Sequence, residues 1–291
     1  MSSEKGLAYS VLDVFAEAPL EGNPVAVVFG AARLSGAEMQ AIARETNLSE
    51  TTFVLHARVH DGAFDVRIFT PASELPYAGH PTLGTATAIR SALLDDVASE
   101  VVLRLGVGPV RVRFAADGLA WLESPSARFD PFAKRDLAAA ALGLPLDSLD
   151  PALPVEVQRT GANQLFVPLR DLAALRAARI EAGAYERLIA AGGPPSLYAF
   201  ARGARDPRNH WSVRLFAPAL GVPEDPATGS AAGFFGAYLA RHRAHGDGTL
   251  DVRLEQGHEI GRPSLLHVRA NGTTILVGGR VISVARGEWL W

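Results

Sequence analysis

A stretch of more than twenty residues occurs twice in this sequence. Val66–Ala88 reads VRIFTPASELPYAGHPTLGTATA, and Val213–Gly233 reads VRLFAPALGVPEDPATGSAAG. The first halves of the two copies align at 214 − 67 = 147 positions and the second halves at 225 − 80 = 145, which sets His80 opposite Asp225. Similarity repeated at a fixed spacing is typical of a fold built from similar units. The repeat therefore predicts two similar halves.

Length and hydrophobic content are sufficient for two cores. The chain has 291 residues, of which 48% are hydrophobic, and a single core rarely grows beyond about 250–300 residues. Together with the repeat, this predicts an N-terminal lobe over residues 1–123 and a C-terminal lobe over residues 124–291. The last strands of the chain can pack back on the N-terminal lobe.

The charge pattern gives no sign of a polymeric partner. Lys and Arg total 28 against 31 Asp and Glu, a net charge of −3, and the chain lacks the basic stretch that binding to nucleic acid or to an anionic membrane needs. No apolar run approaches the roughly 20 residues that span a bilayer. The start at residues 1–6 has no basic and apolar regions of a secretion signal. We therefore predict a cytoplasmic protein without a nucleic-acid or membrane partner.

Two apolar helices are predicted at similar places in the two copies. Residues 82–94 and 229–241 consist almost wholly of small or apolar side chains, which is typical of a helix buried on most of its circumference. Segments rich in Val and aromatics surround both helices, and residues 8–14 and 24–29 are predicted to form paired strands. The fold class is therefore predicted as α+β, with two pseudo-symmetric lobes, each a curved, mostly antiparallel sheet wrapped around a central helix.

Local signals add further predictions. Glu38 follows Ser35 at the spacing of a capping box, so a helix is predicted to begin after Ser35. Residues 124–132 contain two prolines and mixed polarity, which favours a linker. Residues 274–284 are predicted to form one strand near the end of the chain.

The two helix starts are candidates for binding an anion. Backbone N–H groups at residues 82–84 and 227–230 are predicted at helix N-termini, where a partial positive charge attracts carboxylates. Gly84 matches Gly229 in the alignment, and small residues allow an anion to approach closely. The alternative is that these Gly and Thr residues only mark where the helices begin. The candidate substrate-binding residues are Gly79, Thr228, Gly229 and Ser230.

Glu50, His80 and Asp225 are the candidate catalytic residues, because each is predicted at the end of an element rather than on an apolar face. A carboxyl group at a closed site has its reference pKa of about 4.3 raised by desolvation, which lets it accept and return a proton near neutral pH. Each residue also has a structural alternative. Glu50 can be a solvated charge at a strand end, His80 a capping imidazole, and Asp225 an N-cap.

Other kinds of site are disfavoured. The chain has no cysteine, which excludes thiol catalysis, disulfides and thiolate metal sites. The spacing Gly79-x4-Gly84 lacks the lysine of a phosphate-binding loop. His242 and His245 have no third ligand nearby in the sequence, so a solvated helix end is the preferred interpretation. We therefore predict no metal and no cofactor.

Five segments in the same order resemble the phenazine-biosynthesis PhzF-like family. They extend from near the N-terminus to near the C-terminus, so the resemblance covers most of the chain. The segments are GNPVAVVF at residues 22–29, MQAIARETNLSETTFVL at 39–55, RIFTPASELPYAGHPTLGTA at 67–86, EDPATGSAAG at 224–233 and QGHEIGRPS at 256–264.

The resemblance implies a diaminopimelate-epimerase-like fold with an active site in the cleft between two lobes, and a homodimer. By motif match, Glu50 aligns with the family's acid–base glutamate, His80 with its active-site histidine and Asp225 with its active-site aspartate. Gly229 and Ser230 match its backbone anion site.

The function implied is that of a cofactor-independent isomerase acting on a small cyclic or conjugated carboxylate, of the trans-2,3-dihydro-3-hydroxyanthranilate isomerase type. Glu50 would move a proton within a conjugated ring, which delocalises the developing charge. A single carboxylate would then replace the paired thiols of the cysteine-dependent epimerases that share this fold. The alternative is a non-catalytic small-anion-binding or interaction protein on the same fold. The substrate and the pathway stay open.

Overall fold

The computed structural model of the protein describes residues 6–161, 163–246, 249–271 and 273–290, and its fold is mixed α+β. By contacts within the chain, it divides into two compact units. The first unit consists of Met1–Glu123 together with Gly278–Trp291, and the second is Ser124–Val277. The prediction about the N-terminal start concerns residues 1–6, of which residues 1–5 lie outside the described part. Within the described ranges, no helix is long and apolar enough to cross a membrane.

The first unit is a sheet with one helix packed on each of its two faces. Its elements are β1 (Leu7–Val14), β2 (Asn23–Phe29), α1 (Gly36–Thr46), β3 (Glu50–Val54), β4 (Phe64–Phe69), β5 (Glu74–Leu75), α2 (Gly79–Leu93), β6 (Glu100–Leu105), β7 (Gly108–Phe114), β8 (Ala120–Glu123) and, from the end of the chain, β18 (Val281–Trp289). The strand order is β18–β1–β2–β3–β4–β6–β7–β8, in which β2 and β3 are parallel and so are β4 and β6.

The helix α2 lies very close to the sheet of the first unit. A Cβ atom added at Gly84 would stand 2.4 Å from Cγ1 of Val25, so only glycine allows this approach. Thr52 in β3 and Thr85 in α2, both fully buried, are joined by a hydrogen bond of 2.7 Å between their hydroxyl groups. The start of α2 is thereby held at a fixed distance from β2 and β3.

The second unit has the same order of strand pairings around a second apolar helix. Its elements are β9 (Phe129–Pro131), α3 (Arg135–Ala141), β10 (Glu156–Gln158), β11 (Gln164–Pro168), α4 (Leu172–Ala177), α5 (Ala182–Ala190), β12 (Ser196–Arg202), β13 (Trp211–Ala217), β14 (Val222–Asp225), α6 (Gly229–Arg241), β15 (Asp251–Gln256), β16 (Ser264–Asn271) and β17 (Thr274–Gly279). The strands β11 and β12 are parallel, as β2 and β3 are, and β13 then pairs with β14 and β15 as β4 does with β5 and β6.

Several local predictions are confirmed and others are wrong. Ser35 caps α1 in a complete capping box with Glu38. However, α2 begins at Gly79, three residues before the predicted start, because Pro81 is tolerated in the first turn of a helix. The predicted linker at 124–132 contains β9, which pairs with β10. The strand predicted at 274–284 is two strands, β17 and β18, and the short helix α3 was not predicted.

The register of the repeat also differs from the sequence alignment. Ile68 in β4 pairs with Leu75 in β5, whereas Leu215 in β13 pairs with Asp225 in β14. Leu215 follows Ile68 by 215 − 68 = 147 residues, whereas Asp225 follows Leu75 by 225 − 75 = 150 residues. The second hairpin is therefore longer by 150 − 147 = 3 residues. A 3-10 turn, Pro218–Leu220, lies in this longer connection.

The first residues of α2 and α6 are also 150 residues apart, since 229 − 79 = 150. The three-residue insertion therefore lies before both β14 and α6. The structural counterpart of His80 is therefore Ser230. The predicted matches of His80 with Asp225 and of Gly84 with Gly229 are both wrong. Gly and Pro residues occur at several positions in both copies, so the sequences also align without the three-residue insertion.

Each copy contains an ion pair that ties its hairpin together, and the two differ in burial. Arg67 Nε and Nη2 donate to the two carboxylate oxygens of Glu74 at 2.7 and 2.6 Å, with side chains 34% and 44% exposed. Arg214 Nε and Nη2 donate to Glu224 in the same way at 2.9 and 2.7 Å, with side chains 7% and 10% exposed. The second pair lies directly before Asp225 and anchors β14 to β13.

Candidate active site

Glu50 and His80 lie together in the first unit. His80 Nε2 is 3.3 Å from Glu50 Oε2, and the side chains are 6% and 16% exposed. Glu50 is therefore not a solvated charge at a strand end, which was its structural alternative. A buried carboxyl beside an imidazole is an arrangement suited to proton transfer.

Three elements bring these two residues together. Glu50 is the first residue of β3. In the parallel pairing of β2 with β3, it lies beside Val25. His80 is the second residue of α2, in its first turn. The Thr52–Thr85 hydrogen bond and the close approach at Gly84 hold α2 against both strands.

The surroundings of His80 keep its ring neutral. Burial lowers the pKa of His80 to about 3, although a hydrogen bond to the backbone of Pro24 acts in the opposite direction. Proline has no N–H, so the ring donates to the Pro24 carbonyl. Nε2 has no hydrogen-bond partner among the described residues, so the donor is Nδ1–H and Nε2 carries a lone pair. Nε2 can therefore only accept a hydrogen bond, and Glu50 Oε2 lies 3.3 Å from it without forming one in this structure.

This tautomer favours one protonation state of Glu50. A protonated carboxyl can donate to His80 Nε2, whereas an ionised carboxyl places two acceptors side by side. The separation of 3.3 Å is long for such a bond, and catalytic hydrogen bonds commonly tighten only when a substrate is bound. The arrangement therefore favours a proton on Glu50 over an ionised carboxylate facing the Nε2 lone pair.

The low pKa of His80 predicts that stability falls in acid. In the unfolded chain the imidazole binds a proton below about pH 6.5, whereas the folded protein resists protonation down to about pH 3, so the free energy of unfolding decreases as the pH falls through that window. To remove the titration of Glu50, we compare Glu50→Gln with Glu50→Gln/His80→Gln in urea titrations. Between pH 7 and pH 5 the protein that retains His80 is expected to lose about 2 kcal/mol more. Equal losses would contradict a buried neutral imidazole.

The backbone at the start of α2 has no side-chain cap. Ala78 is the N-cap, the first turn contains no acidic residue, and Pro81 lacks an N–H. The N–H groups of Gly79 and His80 therefore point out of the helix without a capping side chain among the described residues. Such groups attract a carboxylate through the positive end of the helix dipole.

In the second unit, Asp225 and Thr228 form one hydrogen-bonded loop with Gln256. The Thr228 hydroxyl donates to Asp225 Oδ2. Gln256 Nε2 donates to the Asp225 carbonyl at 2.9 Å and to Thr228 Oγ1 at 3.1 Å, and Gln256 Oε1 accepts from the Thr228 N–H at 3.1 Å. Thr228, not Asp225, is the N-cap of α6, so the capping alternative for Asp225 is wrong. The loop holds the Asp225 carboxylate in a fixed position.

The start of α6 resembles that of α2 in having no side-chain cap among the described residues and no acidic residue in its first turn. Gly229 is buried and Ser230 is partly exposed. Gly257, which follows Gln256, has φ +76°, and an added Cβ would stand 2.2 Å from the Arg262 carbonyl and 2.6 Å from that of Pro226. This glycine lets two chain segments meet directly behind the Asp225 loop.

Three contributors to these sites were not predicted. They are the Pro24 carbonyl, which orients His80, the Thr52–Thr85 hydrogen bond, and the Gln256 side chain. Gln256 and Pro24 both lie in segments that carry the family resemblance, which is the signal that could have indicated them. Neither residue type is reactive, so chemistry alone gives no reason to select them.

The described residues contain no group of three or more His, Cys, Asp or Glu side chains that could hold a metal ion. His242 Nε2 lies 2.9 Å from Glu156 Oε2, and the ring of His245 packs at 5.1 Å from that of His210. These two histidines therefore contact different partners rather than a common centre.

Comparison with known proteins gives a consistent result. A family model described as "Phenazine biosynthesis-like protein" matches residues 12–287. Trans-2,3-dihydro-3-hydroxyanthranilate isomerase of Pseudomonas aeruginosa is 42% identical over 288 residues, covering 96% of this chain and 98% of that protein. A phenazine biosynthesis protein of the PhzF family from Bacillus anthracis superposes with a TM-score of 0.88 at 26% identity, covering 99% and 100% of the two chains. A hydroxyproline epimerase from Agrobacterium vitis shares the fold, with a TM-score of 0.61 at 13% identity and coverage of 99% and 94%.

Proposed function

Because the chain is an isomerase of the phenazine biosynthesis-like family, we propose that it moves a proton within a small, conjugated cyclic carboxylate without a cofactor. The substrate we propose is trans-2,3-dihydro-3-hydroxyanthranilate or a close analogue, since this compound is named in the relative that is 42% identical. The observation that carries the proposal is the buried Glu50–His80 pair, with 3.3 Å between Oε2 and Nε2.

In this proposal Glu50 is both base and acid. Its carboxylate removes a proton from a ring carbon, and conjugation spreads the negative charge that develops. The resulting carboxylic acid donates a hydrogen bond to the neutral His80 Nε2, which supports the protonated state until the proton is returned at another carbon. A mechanism with two thiols is not available, because the chain has no cysteine.

The groups of the second unit are proposed to bind the substrate. The backbone N–H groups of Gly229 and Ser230 suit a carboxylate, as does the N–H group of Gly79 in the first unit. Asp225, fixed by Thr228 and Gln256, suits an amino or hydroxyl substituent, because a carboxylate accepts hydrogen bonds from both. We further propose that the two units arose by duplication, which rests on the repeat. We also propose a homodimer, on the basis of the family resemblance, and a cytoplasmic location, on the basis of the composition.

Proton NMR in D2O tests this function. The purified chain is mixed with trans-2,3-dihydro-3-hydroxyanthranilate in the presence of EDTA and without added cofactor. We expect the substrate to isomerise and the product to carry deuterium at the carbon that receives the proton, because a carboxyl proton exchanges with solvent. Binding without turnover would instead support the anion-binding alternative. Turnover that stops with EDTA would contradict the cofactor-independent mechanism.

A further inference from the structure

The first unit contains a cavity of about 580 Å³ beside the C-terminal half of α2. Its walls come from β1, from the end of β2 at Phe29, from α2 and the turn that follows it, from the ends of β7 and β8, and from β18. Neither Glu50 nor His80 lines it. Arg90, which does, is ten residues after His80 and therefore about 15 Å further along the helix axis. The cavity is within the range of about 300–1,000 Å³ that holds a small molecule.

Strand register explains which side chains face the cavity. Ser10 of β1 is paired with Arg286 of β18, and Leu12 with Ser283. Residues directly opposite each other in an antiparallel pair point to the same face of the sheet. Leu12 is buried and lines the cavity, so Ser10, Ser283 and Arg286 project towards the same side.

Arg90 forms the facing wall. Its guanidinium carbon lies 4.6 Å from the centre of the Phe114 ring, and Nη2 donates to the Asp96 carbonyl at 2.6 Å. Its Nε–H is buried and has no hydrogen-bond partner among the described residues. Thr87, one turn before Arg90, and Ser91, the residue that follows it, also line the cavity. Arg90 is thus held in place with one donor unused.

The lining combines positive charge with aromatic rings. Its ionisable acids and bases are Arg90, Arg286 and Asp96, with Tyr9 as a phenol. Among the described residues, no carboxylate forms an ion pair with either arginine. Phe29, Phe114 and Leu12 supply apolar surface. Guanidinium groups recognise carboxylates with paired hydrogen bonds and stack on aromatic rings.

We propose that this cavity is a second binding site, separate from the Glu50–His80 pair, for a planar aromatic carboxylate. The carboxylate is held by Arg286 and Arg90, and the ring lies against Phe29 and Phe114. Hydroxyl groups of Ser10 and Ser91 can bind a polar substituent of the ring. The observations that carry this site are the volume of the cavity and its two arginines, which form no ion pair with a carboxylate of the described residues.

Binding of 2-naphthoate, measured by isothermal titration calorimetry, tests the site. Arg286 is exposed on a strand, so Arg286→Glu should leave the fold intact, and we expect it to weaken binding roughly tenfold to hundredfold because a charge-assisted hydrogen bond is lost. Arg286→Lys keeps the charge and should weaken binding less. Ser91→Trp, which fills the cavity from an exposed helix position, should also prevent binding. The neutral probe 2-naphthalenemethanol should bind more weakly than the carboxylate.

The catalytic pair provides the control. Glu50→Gln should bind 2-naphthoate as tightly as the parent protein. If Glu50→Gln weakens binding while Arg286→Glu and Ser91→Trp do not, the probe occupies the catalytic site and the second site is refuted. Absence of binding to the parent protein at millimolar probe also refutes it.

Discussion

Glu50→Gln is expected to lower kcat for isomerisation by about 10²–10⁴-fold, the range over which a positioned acid–base group contributes to catalysis. Glutamine has the size of glutamic acid and can still donate a hydrogen bond to His80 Nε2, but it cannot take up and release a proton. KM should change little, because the binding groups are unaffected. The measurement is the initial rate of substrate loss, followed by proton NMR.

Glu45→Gln is the matched control for this variant. Glu45 is exposed near the end of α1, so the same chemical change there should leave kcat within error of the parent value. An equal fall in both variants would point to a general effect on the protein. Turnover by Glu50→Gln at the parent rate would remove Glu50 from the mechanism.

Arg214→Met is expected to reduce the free energy of unfolding by about 3–5 kcal/mol, because it leaves the carboxylate of Glu224 buried without its partner. Arg214 also donates from Nη1 to the carbonyls of Leu175 at 2.9 Å and Ala178 at 2.7 Å, and these acceptors would lose a donor. Urea titration followed by circular dichroism measures the loss. The variant should also lower activity, since Glu224 directly precedes Asp225.

The repeat supplies a control within the same chain. Arg67→Met breaks an ion pair of the same geometry, but one that is about 40% exposed, and surface pairs contribute only about 0–1 kcal/mol. The double variant Arg214→Met/Glu224→Met removes both buried charges and should be more stable than Arg214→Met alone. Similar losses for Arg67→Met and Arg214→Met would show that burial does not set the strength of these pairs.

Much of the architecture could be predicted from the sequence. The capping box at Ser35, the helix at residues 229–241 and the paired strands β1 and β2 follow from local signals, and all are confirmed. The family resemblance inferred from five segments is confirmed by the match over residues 12–287. These features depend on periodicity or on residues close in sequence, which a single chain displays directly.

The remainder depends on contacts that sequence spacing does not reveal. The three-residue insertion before β14 follows from the pairing of strands and not from the sequence. With this insertion, the counterpart of His80 is Ser230 rather than Asp225. The predicted residues Glu50 and His80 do meet, but the contact that fixes the ring tautomer comes from a proline carbonyl 56 positions earlier. Every residue has a backbone carbonyl, so the residue type gives no indication of which carbonyl accepts a hydrogen bond from His80.

The pairing of β1 with β18 has a consequence for how the protein is made. This ladder joins Leu7 to Trp289 and Val14 to Val281, so the first unit cannot complete its sheet until residues 281–289 have left the ribosome. The second unit is continuous from Ser124 to Val277 and is synthesised earlier than that last strand. During translation, at about 5–20 residues per second, β1 therefore waits with an open edge that invites pairing with other chains. The unpaired edge of β1 during synthesis is therefore a point at which the first unit can misassemble.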